Sequence, residues 1–430
     1  MLKEKIMNSK KVLRILVVLP LYGGSLPVGR FCVAALKEMG HLVETFEAPE
    51  FYDAYNALDN LKVTSDRHQY LQNSFLQVLS QAVLAKTETF EPDMVLSMAQ
   101  APLTHQALKR LRRDNVLTAM WFVEDFRLFT YWQSFAPLYD IFAVIQKDHF
   151  FDKLKDIGVE NTLYLPLAAH PEFHRPLDIN SIDTRKYGSD VSFMGAGYPN
   201  RRMAFRTLIH HGLKIWGSEW EGDHVLDKYI QLGGRRVSSE ECVKIFNATK
   251  INLNLHSSIN VDNIVSDGDF INPRTFEIAA CGAFQLVDRR KLMPEAFKDG
   301  ELAYFDNLKD LDDKISYFLD HPEERKSYAE KGRKRVLADH TYVIRMQTLI
   351  NFATEKILGW PKERESDTFF GQDFPEDIKN NVIQLIEKLG LPLSVNFEDL
   401  VSAVRMQHGE LSPLDTAILF LDEWKKTYKR

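Results

Sequence analysis

The stretch INPRTFEIAACGAFQLVD, Ile271–Asp288, decides the fold class. Asn272 is a preferred N-cap residue, Pro273 suits the first position of a helix, and Gly282 suits its end. The apolar residues that follow, Ala283–Val287, predict a buried strand. A short helix that leads directly into a buried strand is typical of an α/β unit. The exposed start of such a helix is a place that can receive an anion.

Strand and helix patterns alternate on both sides of this unit. In the first half of the chain, the predicted strands are Ile15–Leu19, Val43–Phe46, Met94–Ser97, Thr118–Phe122, Ile141–Val144 and Leu163–Leu165. In the second half, they are Asp190–Met194, Leu213–Trp216, Ile251–His256, Ala283–Val287 and Ala303–Phe305. Continuous apolar strands that alternate with helices predict two doubly wound parallel sheets, each covered on both faces. Two such sheets leave a cleft between the carboxyl ends of their strands, where ligands bind.

The alternation divides the chain into four predicted parts. We expect a first Rossmann-like domain at residues 1–178, a second at 179–340, a crossover helix at 341–360 and a helical appendage at 361–430. The polar segment Ala168–Tyr187, which contains two prolines, is the predicted linker. The appendage shows no catalytic pattern.

Composition narrows the class of protein. A formal charge of −6 over 430 residues, with dispersed Lys and Arg, argues against a nucleic-acid binder. Three distant cysteines fit neither a zinc site nor a disulfide framework, so we expect a cytoplasmic protein. The apolar run after the basic start MLKEKIMNSKK is too short to span a bilayer and lacks a cleavage pattern, so it predicts a first strand. Peripheral contact with a membrane stays open.

Two segments of the second half are candidate nucleotide contacts. In VSFMGAGYPNRR, Gly195 lets the backbone approach a phosphate and two arginines stand at a helix start, although an ordinary turn has the same pattern. In the opening stretch, Arg274 and Glu277 share a helix face, which is also consistent with a surface ion pair. A carboxylate at that position could accept two hydrogen bonds from a ribose diol.

Candidate acid and base groups lie in the first half and in the linker. In WFVEDFR, Glu124 and Asp125 follow a predicted strand, and either could accept a proton from an acceptor hydroxyl or simply cap the next helix. His170 and His256 could donate a hydrogen bond to a substrate or serve only in packing. The glycines of LYGGS, Leu21–Ser25, could let a substrate approach the backbone.

The region from about residue 90 to about 350 resembles the CgeB-like (spore maturation protein) glycosyltransferases of the GT-B fold. The resemblance depends on phrases that occur in order: YLPLAAHPEFHRP, DVSFMGAGYPNRR, LKIWGSEW, IFNATKINLNLH, NPRTFEIAACGAFQLVD and DHPEERKSYAEKGRKRVLADHTYVIR. It implies a nucleoside-diphosphate sugar bound mainly by the second domain. The residues it implicates in donor binding are Gly195 and Arg201 near the phosphates, Trp216 and Gly217 near the base, and Arg274, Thr275 and Glu277 at the helix start. From their positions in the predicted fold, we also assign to donor binding His256, at the end of a strand that faces the cleft, and the N-cap residue Asn272.

The same resemblance implies transfer without a metal. Asp269 stands eight positions before Glu277, where many retaining GT-B enzymes carry a glutamate, so direct contact of Asp269 with the sugar is doubtful. Asp267 and Asp269 also spell a D-x-D, a pattern that holds a metal in the other major transferase fold. We therefore predict a glycosyltransferase, with retention preferred, no cofactor and an acceptor that is a glycan, a protein or a small molecule. A sugar-nucleotide epimerase and a non-catalytic scaffold remain the rivals.

Overall fold

The first sheet has six parallel strands in the order β2-β1-β3-β4-β5-β6. The structure is a computed structural model, and it describes residues 12–259, 264–265, 268–362, 375–391, 393 and 395–428. The strands are β1 (Arg14–Val18), β2 (Leu42–Phe46), β3 (Met94–Met98), β4 (Leu117–Phe122), β5 (Ile141–Val144) and β6 (Thr162–Tyr164). Every residue of β1, β3, β4 and β5 is buried, because helices cover both faces of the sheet.

Helices of the first half pack on opposite faces of this sheet. They are α1 (Ser25–Glu38), α2 (Tyr52–Ala57), α3 (Ser65–Phe90), α4 (His105–Arg113), α5 (Trp132–Phe135) and α6 (Phe150–Asp156). Ile15 and Val17 of β1 lie in one core with the apolar side of α1, whereas Leu16 and Val18 lie in another core with α3 and α4. This alternation follows from the period of two along a strand.

The second sheet has five parallel strands in the order β11-β10-β9-β7-β8. The strands are β7 (Ser189–Met194), β8 (Leu213–Trp216), β9 (Thr249–Asn254), β10 (Gln285–Asp288) and β11 (Ala303–Phe305). The helices are α7 (Ser181–Tyr187), α8 (Pro199–Thr207), α9 (Ser239–Ala248), α10 (Pro273–Ala280), α11 (Met293–Ala296), α12 (Leu308–Asp320) and α13 (Pro322–Asp339). Ser238 and Glu241 form the capping box that their spacing predicts at the start of α9.

The chain then returns to the first half of the molecule. Helix α14 (Tyr342–Lys356) packs on α1, where the rings of Phe31 and Tyr342 lie 5.3 Å apart. The guanidinium of Arg345 donates hydrogen bonds to the carbonyl oxygens of Pro166 and Leu167, at 2.6 and 3.1 Å. These contacts fix the segment after β6 to the returning helix.

Three further helices form the appendage. Helices α15 (Glu376–Lys388), α16 (Phe397–Arg405) and α17 (Pro413–Tyr428) enclose a small apolar core of their own. The buried carboxylate of Asp399 accepts a hydrogen bond from Nε of Arg14 at 3.0 Å, which joins α16 to the first sheet. In the part of the chain that the structure describes, no helix is both long enough and apolar enough to cross a bilayer.

The predicted sheets are confirmed, and each predicted strand lies within two residues of its observed ends. The linker prediction is wrong in part, because Ser181–Tyr187 is a helix whose first turn is capped by Asn180. The three boundaries between the four predicted parts stay predictions. Residues 1–11, together with the predicted end of the last helix at Lys429, lie outside the described residues.

The carboxyl ends of the two sheets face each other. The carbonyl oxygen of Gly23, after β1, accepts a hydrogen bond from Nη2 of Arg236, after β8, at 2.8 Å. The carboxylate of Asp269, between β9 and α10, accepts from the backbone amides of Lys147 and Asp148, after β5, at 2.7 and 2.9 Å. The loops that close these contacts border a cleft between the sheets, where doubly wound folds bind their ligands.

Candidate active site

The start of helix α10 is held by a buried network of amide side chains. Oδ1 of Asn272 accepts from the backbone amide of Thr275 at 3.1 Å, so the predicted N-cap is confirmed. Nδ2 of Asn272 donates to Oδ1 of Asn254 at 2.7 Å, and Nδ2 of Asn254 donates to Oε1 of Gln285 at 2.9 Å. The network therefore fixes the helix start to strands β9 and β10. Gly282, at φ +66°, ends the segment as its position predicts.

Thr275 belongs to this network rather than to an open surface. Its hydroxyl accepts from Nδ2 of Asn254 at 2.9 Å and lies 3.2 Å from Oδ1 of Asn272, and the residue is fully buried. This geometry corrects the expectation that the Thr275 side chain is available to a diphosphate. Its buried hydroxyl instead keeps the first turn of α10 in register with the sheet.

Arg274 and Glu277 do form the expected pair. Nη1 of Arg274 lies 2.5 Å from Oε2 of Glu277, and the Glu277 side chain is only 7% exposed, against 31% for Arg274. Although burial opposes the charge, the Glu277 carboxylate holds the pKa of Arg274 above its ordinary value. Nε of Arg274 is buried and has no hydrogen-bond partner among the described residues. Because buried polar groups are normally paired, this atom is a place where a ligand can bind.

His174, in the predicted linker, lies close to Glu277, and His170 contacts His174. Nε2 of His174 is 3.9 Å from Oε1 of Glu277, and Nδ1 of His174 accepts from the backbone amide of His170 at 3.0 Å. Burial lowers the pKa of His174 to about 4, so its ring is neutral near pH 7. His170 packs against Phe31, at 5.7 Å between ring centroids, and burial lowers its pKa as well. His170 therefore contacts Phe31 and His174, and a hydrogen bond from His170 to a substrate stays a prediction.

The glycine turns after β7 and β8 lie against each other. The backbone amide of Gly195 donates to the carbonyl oxygen of Trp216 at 2.9 Å. A Cβ on Gly217, at φ +115°, would lie 2.5 Å from the carbonyl oxygen of Gly195, and one on Gly197 would lie 2.1 Å from that of Glu219. These glycines therefore permit the close approach of two loops. Direct contact of Gly195 or Gly217 with a donor stays a prediction.

Arg201 and Trp216 occupy interior positions in this region. The Arg201 guanidinium donates to the carbonyl oxygens of Leu255 and Ala196, both at 2.9 Å, and burial lowers its pKa to about 10. Trp216 is 1% exposed and packs in an apolar cluster. Arg201 therefore ties the loop after β7 to the end of β9, which corrects the expectation of a phosphate loop with a free arginine. Trp216 presents no exposed ring on which a base could stack.

We predict that Gly217→Ala is more damaging than Gly222→Ala. Both glycines have positive φ, at +115° and +79°, but a Cβ at Gly222 meets nothing within 4 Å. Gly222→Ala should therefore cost only the ~1–2 kcal/mol of an unfavourable backbone conformation. The collision at Gly217 should add about 1–3 kcal/mol. Urea unfolding of both variants measures the difference, and equal losses would show that loop contact is not the role of Gly217.

His256 is buried at the end of β9 and does not face the cleft. Its Nδ1 lies 2.6 Å from Oδ1 of Asp288, and its Nε2 accepts from the backbone amide of Asn272 at 2.9 Å. Because Nε2 is an acceptor, the ring is neutral and Nδ1 carries the proton, consistent with a pKa lowered by burial. This corrects the expectation that His256 contacts a substrate. The Asp288–His256 pair positions the start of α10.

Arg290, directly after β10, was missed by sequence reasoning. It is 2% exposed, its Nη1 lies 3.8 Å from Oδ2 of Asp288, and its guanidinium lies over the ring of Phe270. A Cβ on Gly268 would lie 2.2 Å from Nη2 of Arg290, so this glycine makes room for the guanidinium. Burial lowers the pKa of Arg290, whereas the carboxylates of Asp288, Asp269 and Asp125 oppose that shift. The feature of the sequence that could have identified Arg290 is a charged residue close to the end of a buried strand.

On the first sheet, Glu124 is held by two neighbours after the end of β4. Its Oε1 accepts from Nε2 of Gln100 at 2.5 Å, and its Oε2 accepts from the hydroxyl of Tyr131 at 2.7 Å. Burial raises the pKa of Glu124, against the effect of these two hydrogen bonds. A positioned carboxylate with a raised pKa is suited to accept a proton.

Asp125 has the structural role that the sequence left open. Its Oδ1 accepts from the backbone amide of Arg127 at 2.9 Å, and its carbonyl oxygen accepts from the amides of Leu128 and Phe129. The side chain therefore stabilises the turn that follows β4. Of the two acids, Glu124 has the environment of a base.

Electrostatic contacts join the two sides of the cleft near these acids. Burial raises the pKa of Tyr198, at the start of α8, and the carboxylates of Asp125 and Glu124 add to that shift while Arg201 opposes it. Tyr198 therefore lies across the cleft from the turn after β4. The first sheet contributes a carboxylate here, and the second contributes a phenol and buried arginines.

Only one acid of the D-x-D pattern, Asp269, lies within the described residues. Asp267 lies outside the described residues. Oδ2 of Asp269 accepts two backbone amides, and Oδ1 lies 3.4 Å from Nε2 of Gln146, so both oxygens are occupied by donors. Within the described ranges, one group could hold a metal: His210, His211 and Asp312. It lies before β8, at the strand end opposite the cleft.

Comparison with known proteins agrees with this arrangement. Residues 201–351 match the family described as "Glycosyl transferase-like". The chain is similar to the spore protein CgeB of Bacillus subtilis (strain 168), at 25% identity over 270 residues, which covers 60% of this chain and 82% of that protein. The resemblance stated from the sequence is confirmed. The residues that match the family model include strands β8 to β11 and the helices between them.

Solved structures share the overall fold. HepE of Anabaena, in complex with UDP-glucose, aligns with a TM-score of 0.55 at 11% identity, covering 80% of this chain and all of that one. Sucrose-phosphate synthase of Thermosynechococcus elongatus aligns with a TM-score of 0.54 at 12% identity, covering 80% of this chain and 99% of that one. The GT-B fold is therefore confirmed, and the comparisons support the prediction of a glycosyltransferase.

Proposed function

We propose that this glycosyltransferase moves a sugar from a nucleoside-diphosphate sugar to a hydroxyl acceptor. The observation that carries the proposal is the Arg274–Glu277 pair on the first turn of α10, where Nε of Arg274 has no partner among the described residues. A cation for the diphosphate and an acid for the ribose thereby stand side by side at the carboxyl end of a parallel sheet. HepE, which shares the fold, has been solved with UDP-glucose.

In the proposed reaction, the acceptor oxygen attacks the anomeric carbon of the donor. The bond from that carbon to the diphosphate breaks, and the diphosphate leaves with the electron pair, stabilised by the guanidinium of Arg274. The proton of the acceptor hydroxyl passes to Glu124, whose pKa is raised by burial. Bond formation and proton transfer together leave a nucleoside diphosphate and a glycoside.

The transfer needs no metal under this proposal, because the guanidinium of Arg274 supplies the positive charge. A base at Glu124 favours inversion at the anomeric carbon, whereas the family resemblance favours retention. The configuration of the product, read by proton NMR, decides between the two. A cytoplasmic location and peripheral contact with a membrane stay predictions.

A thermal-shift panel of UDP-, GDP-, CMP- and dTDP-sugars tests the donor site. At least one of them should raise the melting temperature, and addition of EDTA should change neither that shift nor the release of nucleotide. Absence of any shift across the panel would instead favour a scaffold on this fold. Activity that EDTA abolishes would overturn the metal-free mechanism.

A further inference from the structure

A cavity of about 630 Å³ lies in the first sheet beside Glu124. This volume falls within the ~300–1,000 Å³ range of small-molecule sites. Its walls come from the carboxyl ends of β1 and β3 and from helices α2, α3, α4 and α5. The lining side chains used below are Tyr22, Tyr55, Gln77, Gln100, Gln106 and Tyr131.

Glu124 borders this cavity through two of its walls. Gln100 and Tyr131 line the cavity, and both donate hydrogen bonds to the Glu124 carboxylate. The backbone amide of Gln100, a residue with φ +64°, also donates to the hydroxyl of Tyr131 at 3.1 Å. A molecule in the cavity therefore contacts the two side chains that hold the carboxylate that we propose as the base.

The lining mixes polar and apolar groups and carries no formal charge. None of the described side chains around the cavity is Asp, Glu, Lys or Arg. The amides of Gln77 and Gln106 are exposed, and neither makes a hydrogen bond with a described residue. A phosphate or carboxylate group would lose water here without gaining a cation, which is costly. An aliphatic chain would leave the amides without partners.

We propose that this cavity binds an uncharged saccharide as the acceptor, a proposal that rests on the proposed function. Tyrosine rings such as Tyr22 and Tyr55 offer flat apolar surfaces for the carbon face of a sugar ring. Amide groups both donate and accept hydrogen bonds, as the hydroxyl groups of a saccharide do. The cavity therefore selects a neutral ring rich in hydroxyl groups, and it rejects sugar phosphates.

Saturation-transfer-difference NMR on the full chain tests this assignment. The probes are methyl α-D-glucopyranoside, methyl α-L-rhamnopyranoside and N,N′-diacetylchitobiose, compared with glucose 6-phosphate and uridine. At least one uncharged saccharide should receive saturation, and glucose 6-phosphate should receive at least tenfold less. The nucleoside diphosphate of the donor that binds in the thermal-shift panel is added to the same samples. Its signal reports whether the donor site binds nucleotide.

Two variants on helix α3 locate the binding. Gln77→Trp fills the cavity and should abolish the saccharide signal, while the nucleotide signal persists. Gln81→Trp is the control, since Gln81 is exposed on the same helix and does not line the cavity. The control should keep both signals.

The outcomes separate the two proposals. A nucleotide signal without any saccharide signal overturns the cavity assignment and leaves the donor site intact. If Gln77→Trp removes a saccharide signal but the protein binds no nucleotide, saccharide binding in the cavity is supported and the proposed function is overturned. Stronger binding of glucose 6-phosphate, or a uridine signal that Gln77→Trp removes, would show that the cavity takes another class of ligand.

Discussion

Replacing Glu277 with alanine should erase the preference of this protein for a ribonucleoside diphosphate over its 2′,3′-dideoxy analogue. Glu277 is almost fully buried, with Oε2 on Arg274 and Oε1 3.9 Å from Nε2 of His174. If its carboxylate accepts both ribose hydroxyls, two charge-assisted bonds of about 1.5 kcal/mol each give the unmodified protein about a hundredfold preference. Calorimetric titration of both nucleotides measures this ratio.

The dideoxy analogue makes the experiment independent of general damage to the site. Loss of Glu277 also leaves Arg274 without its anionic partner, which should weaken both nucleotides through the diphosphate. The ratio of the two affinities should fall to about one only if Glu277 contacts the ribose. The variant removes the carboxylate and the analogue removes the hydroxyl groups, which are the two ends of that interaction. Glu240→Ala, an exposed acid on neighbouring α9, is the matched control and should keep the preference. If the hundredfold ratio of affinities persists in Glu277→Ala, Glu277 does not bind the ribose.

The fold could be predicted because its signals are local. The apolar run Ile141–Val144 is buried on both faces, so its bounds coincide with the composition change at each end. Caps such as Asn272 and Ser238 depend on side chains within three residues of the helix start. The helix Ser181–Tyr187 was missed since a proline-rich neighbourhood outweighed the cap at Asn180.

The site could be predicted only in part, because residue type does not reveal which atoms are already paired. Arg201, Thr275 and His256 have the chemistry of ligand contacts, but their polar atoms are bonded to Leu255, Asn254 and Asp288. Such partners are set by the packing of strands that are distant in sequence.

Residues that lie at the cleft were missed for the same reason. Gln100 and Tyr131 meet Glu124 only because β3 and β4 are neighbours in the sheet, and Arg290 needs the space that Gly268 leaves. The pair Arg274 and Glu277 was found because a spacing of three on one helix is readable from the sequence.

Replacing Glu124 with glutamine should lower kcat by about 10²–10⁴-fold, the usual contribution of a general base. The amide keeps the shape of the side chain beside Gln100 and Tyr131 but cannot take up a proton at neutral pH. In the unmodified protein, the raised pKa of Glu124 should make the rate fall with decreasing pH at a higher pH than an ordinary glutamate would. That limb of the pH profile should be absent in the variant. Steady-state rates from pH 4.5 to 8 measure both effects.

Although kcat should fall in Glu124→Gln, the free energy of unfolding should not. This difference distinguishes a catalytic base from an acid with a structural role. A carboxyl group whose pKa is raised on folding contributes stability below its unfolded pKa and loses it as pH rises through the folded value. At neutral pH, Glu124→Gln should therefore be at least as stable to urea as the unmodified protein, despite its loss of activity. Asp125→Asn is the matched control: it weakens the hydrogen bond to the amide of Arg127, worth about 0.5–1.5 kcal/mol, and should retain turnover. Equal rates in Glu124→Gln and Asp125→Asn would leave the acceptor proton to another group, such as the departing diphosphate of a retaining reaction.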